Sequence, residues 1–218
     1  MTRYYDSEKE SRFGTLKVFS FVLDALNDGK VIRTSIALGL RVLGVLTAAA
    51  GIYLLVELLK LSFQLPTEGT IGGLLLSIVI LVGIAGVVQI YFYRANSVQK
   101  LSDSQFTVIP IFSILFRCFG EIYSLLALSV GVGGCIFIWL AGMNPMYLLG
   151  RMGSFLPSMS TEGTFLGGAA FLFYLSFLAF IILIVFYFLA ESVEVLTDIA
   201  KNIRLLVEQK KQETLPVV

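Results

Sequence analysis

The chain has 218 residues, of which 57% are hydrophobic and 14% charged, with a formal net charge of +1. Soluble domains carry roughly 25% charged residues, so the charge deficit and the long uncharged runs put this chain in the membrane class. A near-zero net charge with no basic stripe excludes nucleic acid as a partner class.

The first ten residues are polar and lack an apolar core followed by a small-residue cleavage site, so they do not read as a signal peptide. Residues 1–12 are expected to be a polar tail. Leu16, Phe19, Val22, Leu23 and Leu26 then recur at helical spacing, which predicts an amphipathic lead-in helix over about 13–26. Such a helix either lies in the membrane interface or packs inside the protein.

A hydrocarbon core of about 30 Å takes roughly 20 helical residues to cross. Four runs satisfy this: about 34–59, 71–93, 122–142 and 165–190. They do not alternate, so a transmembrane barrel is not indicated. A second lead-in helix is predicted over about 106–119, with Pro110 near its beginning and Arg117 and Glu121 spaced to pair four residues apart. Gly142-Met143-Asn144-Pro145 ends the third span. After the fourth, Val193, Leu196, Ile199, Ile203 and Leu206 form a short heptad-like seam among charged residues. That seam suits contact with another subunit, or docking on the linker at 99–105. Residues 209–218 are expected to fray.

The chain also contains itself twice. Thr67-Glu68-Gly69-Thr70 recurs as Thr161-Glu162-Gly163-Thr164, and Tyr53-Leu54-Leu55 recurs 94 residues on as Tyr147-Leu148-Leu149. Ala95, Ser97, Val98 and Leu101 match Ala190, Ser192, Val193 and Leu196, and Phe19-Ser20 matches Phe112-Ser113. These matches predict a tandem duplication, with units at 13–101 and 102–208. The fold class expected is therefore all-α: a polytopic helical membrane protein whose four transmembrane helices form two parallel two-span tandem repeats, with amphipathic lead-in helices and a cytoplasmic C-terminal helix. Two-span units copied in tandem keep their orientation, so the inverted-repeat transporter plan does not follow. Lys and Arg concentrate before the first span, after the second and after the fourth, which predicts both termini and the middle linker in the cytoplasm, in a plasma or inner membrane.

The chain has no histidine, which excludes imidazole-held haem, Ser-His-Asp catalysis and most zinc sites. Cys118 and Cys135 lie in apolar surroundings and read as packing residues. No cofactor is expected, and no enzymatic motif is present. Ala127, Gly131 and Cys135, four apart, share a helix face, as do Gly44 and Ala48; small faces let helices approach closely in lipid.

Thr67 or Thr70, and Thr161 or Thr164, are candidate helix N-caps, with Glu68 and Glu162 near the positive end of the helix dipole. The competing reading of these glutamates is a ring of outer-mouth carboxylates. Glu57 and Arg151 fall at equivalent places under the Tyr-Leu-Leu offset and are a candidate pair between the repeats, Lys60 being the alternative partner of Glu57. Arg41 is the intramembrane charge, two turns inside the first span, either facing a partner or snorkelling to headgroups. The function expected is a non-enzymatic structural or accessory membrane protein that forms homo-oligomers or docks on a membrane complex, with lipids as its surroundings; the alternative is a small homo-oligomeric cation channel.

Overall fold

A computed structural model describes residues 29–101, 108–145 and 165–213. They form four helices: α1 (Gly29–Ser62), α2 (Thr67–Gln99), α3 (Val108–Ala141) and α4 (Phe165–Glu213). Each is long and apolar enough to cross a membrane. At 1.5 Å per residue, α1 to α3 are about 50 Å long and α4 about 70 Å, well beyond the roughly 30 Å of hydrocarbon. This is the all-helical, multi-pass protein that the composition implies.

The helices form an open row. α1 packs on α2, α2 on α3 and α3 on α4, while α1 meets α3 only marginally. Neighbours run in opposite directions. Gly44 lies against Tyr91, Gly51 against Ile84 and Gly73 against Ser62, so α1 and α2 are antiparallel. Gly72 against Phe137, Gly133 against Leu76 and Gly86 against Leu125 set α3 against α2 in the same way. Gly120 against Phe186 and Gly134 against Phe171 do so for α4 on α3. Without a hydrophobic drive between helices in lipid, these glycines matter because they allow close dispersion contact.

The buried side chains fall into three groups. Ala37, Leu40, Val87, Ala95, Ile111 and Cys118 belong to one at the end where α1 begins. Leu58, Leu76, Ile80 and Phe137 form one toward the other end, and Ile138, Phe171 and Leu175 join α3 to α4. The outer helices bury least, and α4 leaves Phe173, Phe177, Phe180 and Phe188 exposed.

The turns explain the helix ends. After Ser62, the amides of Phe63, Gln64 and Leu65 close on the carbonyls of Leu59, Leu61 and Ser62, and Pro66 then opens α2. At the far end of α3, Gly142 adopts φ +64° and its amide bonds to the Ile138 carbonyl. That left-handed conformation is why glycine follows the helix there.

Several boundaries differ from the sequence expectations. The second lead-in helix and the third span are one unbroken helix, α3, because Pro110 sits in its first turn, where no amide is needed. The first span starts earlier, at Gly29, and α4 runs on as helix to Glu213, past the point expected to fray. The tail at 1–12, the lead-in helix at 13–26 and the loop at 146–164 lie outside the described residues.

Candidate functional site

The polar side chains gather at one end of the row, where α1 and α3 begin and α2 ends. They make two contacts within helix pairs and one between them.

In the first pair, the Arg41 guanidinium on α1 donates through Nη2 to Asn96 Oδ1 and to Gln99 Oε1 on α2, each at 3.0 Å. Arg41 is thus three turns inside α1 yet level with the last turn of α2. It is held by neutral amides on the neighbouring helix. Close by, Arg33 is 7% exposed and donates to the Leu101 carbonyl.

In the second pair, Arg117 on α3 donates through Nη2 to both oxygens of Glu194 on α4, at 2.9 and 3.1 Å. The Ser113 hydroxyl donates to the same carboxylate at 2.6 Å. The guanidinium also lies 5.8 Å from the Tyr187 ring. The expected pairing of Arg117 with Glu121 on their own helix does not form. Each finds a partner across an interface: Glu121 meets Arg94 through Nε and Nη2, while Arg117 meets Glu194 through Nη2 alone.

Glu121 instead accepts from Arg94 on α2, with Nε to Oε2 at 3.0 Å and a second contact from Nη2 to Oε1. Tyr187 Oη on α4 donates to Glu121 Oε1 at 2.8 Å. This group ties three helices together and is mostly enclosed, with Arg94 at 13% and Glu121 at 22% exposure. Sequence reasoning missed it. The available signal was that Glu121 is the lone carboxylate between Asp103 and Glu162, and a carboxylate isolated in an apolar run needs a partner.

The contacts within the two pairs correspond. Arg41 and Gly44 on α1 match Arg117 and Gly120 on α3 by a step of 76 residues. Their partners Gln99 and Tyr91 on α2 match Glu194 and Phe186 on α4 by a step of 95. The two steps differ by 19, which is how much longer the connector at 142–164 is than that at 63–66.

Glu57 pairs with Lys60 on its own helix at 3.5 Å, largely in the open, and Arg151 lies outside the described residues. The Arg94–Glu121 contact between α2 and α3 lies at the opposite end of the row.

The expected cap also differs. The N-cap of α2 is Pro66, with no side-chain cap bond, and Thr67 is already helical. The Thr70 hydroxyl works as a donor, within 3.0 to 3.3 Å of the Leu65, Ser62 and Pro66 carbonyls. Its single proton serves one of these carbonyls of the α1–α2 turn at a time. Glu68 is exposed in the first turn of α2. Thr161 and Glu162 lie outside the described residues.

Gly131 is buried on α3, where an added Cβ would sit 3.0 Å from Leu175 Cβ; Cys135 is buried and Ala127 half-buried. Ser62, Ser77 and Ser129 each donate to the carbonyl four residues earlier, so their polarity is spent within their own helices. Among the described residues, no cluster of side chains suits a metal ion.

The chain matches no family model, no curated protein and no solved structure.

Proposed function

We propose that this protein is a non-enzymatic membrane subunit that assembles with copies of itself or docks on a larger membrane complex. The observation that carries the reading is the apolar row on the last part of α4. Leu196, Ile199, Ile203 and Leu206 are 49 to 65% exposed there, beyond the uncharged part of the helix and among Glu191, Glu194, Asp198 and Lys201. Outside hydrocarbon, an apolar row of this length on a helix calls for a covering partner.

The finer architecture proposed is a tandem duplication of a two-helix hairpin, with parallel copies. Its support is the matching set of contacts at steps of 76 and 95, together with Gly72-Gly73 against Gly167-Gly168 and Ala95, Ser97, Val98 against Ala190, Ser192, Val193. The distribution of Lys and Arg supports a cytoplasmic location for the end that holds Arg41, Arg94 and Arg117.

The test is the native mass of the full-length protein extracted in mild detergent, with and without Leu196→Glu and Ile203→Glu together. The wild type is expected as an oligomer or with a partner, and the double variant as a folded monomer. A monomeric wild type with no partner sinks the reading. A cation channel is the second reading, supported by the exposed Glu68 at the turn; it requires conductance that falls when Glu68 and Glu162 both become Gln.

A further inference from the structure

Arg41 and Arg117 occupy corresponding places but meet different acceptors. Arg117 is neutralised by the Glu194 carboxylate. Arg41 is oriented by the side-chain oxygens of Asn96 and Gln99, which carry no charge. Both bonds use Nη2, which leaves the Nε and Nη1 hydrogens of a five-donor fork to meet something else.

The surroundings add positive charge. Lys100 directly follows Gln99 and is exposed, and Lys30 is exposed nearer the start of α1. The described carboxylates of α1 and α2 are Glu57 and Glu68, both at the opposite end. Arg94 is already committed to Glu121, and so is Glu121 to Arg94.

Height decides the ligand class. α2 has 33 residues where about 20 suffice to cross the hydrocarbon, and Asn96 and Gln99 are in its last turn. Arg41 is therefore at headgroup level, where phosphates are the abundant anions. A guanidinium matches a phosphate with two parallel hydrogen bonds.

We propose that Arg41, with Lys100 next to its partner Gln99, binds the phosphate of an anionic phospholipid headgroup beside the α1–α2 hairpin. The corresponding place on α3 and α4 is closed to it, because Glu194 already supplies the anion. The amide in place of the carboxylate is what opens the first site.

The test uses the full-length protein in mixed micelles, with native mass spectrometry counting retained phosphatidylglycerol against phosphatidylcholine. The wild type is expected to retain phosphatidylglycerol preferentially. Gln99→Glu installs an internal counter-ion and should lower that preference about fivefold, as should Arg41→Gln, given the typical worth of one basic residue at an anionic surface. Glu194→Gln should add a second retained phosphatidylglycerol. Thermal unfolding of each variant checks that the fold persists, and Gln99→Glu copies an arrangement this chain already tolerates. The proposal is overturned by a wild type without preference, or by an unchanged preference in Gln99→Glu and Arg41→Gln. Displacement of the lipid by millimolar inorganic phosphate would assign the site to a soluble anion and also overturn it.

Discussion

Arg94 on α2 and Glu121 on α3 form a two-point ion pair that joins the first two helices to the last two, with Tyr187 on α4 as a third member. Both charges are largely enclosed, so removing one leaves the other short of both water and partner. Glu121→Leu is expected to destabilise the protein by about 2–4 kcal/mol, slightly below the range for fully buried pairs. Arg94→Leu with Glu121→Leu should recover much of that loss. Thermal unfolding of the purified variants in one detergent checks the cycle; additive losses would show that the pair is not coupled.

Glycine packing makes a sharper claim. A Cβ on Gly73 would sit 2.2 Å from Ser62 Oγ and 2.7 Å from Ser62 Cβ, and Ser62 is itself fully buried and bonded to the Leu58 carbonyl. Gly73→Ala should therefore cost about 1–3 kcal/mol through overpacking. Gly39→Ala meets nothing within 4 Å and should be neutral or slightly stabilising through helix propensity. The order of the two unfolding temperatures is the readout.

Trp139 is the only tryptophan in the chain, 45% exposed, with its indole Nε1 donating to the Phe165 carbonyl and its ring stacked on Phe165 at 4.9 Å. It lies in the last turn of α3, where an amphipathic ring suits the membrane boundary. Its fluorescence in vesicles should be quenched more by bromines high on the acyl chain than by bromines near the chain end. Equal or reversed quenching would put this end of the row deeper than the helix lengths imply.

The chain's own cysteines, Cys118 and Cys135, are buried. A cysteine introduced at Gln64, in the α1–α2 turn, should react with an impermeant thiol reagent from one side of a sealed vesicle. One introduced at Lys100, just past α2, should react only from the other. Labelling of both from the same side would contradict a membrane crossing by α2.

Four long apolar runs with few charges were enough to determine an all-helical chain that crosses a membrane several times, because every backbone group in lipid must be bonded within its own helix. That constraint acts along the chain and is written in composition. The stop at Gly142 was legible for the same reason, since the means of ending a helix is local. Partners across helices were not. Arg117 and Glu121 have the right spacing to pair, and helical geometry alone favours it; only the placement of α2 and α4 against α3 sends Glu121 to Arg94 and Arg117 to Glu194. The internal matches were visible in sequence, but the register in which neighbouring helices meet was not. Contacts between packed helices supply that register. They also decide that Arg41 meets amides where Arg117 meets a carboxylate, a difference carried by residue 99 against residue 194 and invisible until the helices stand side by side.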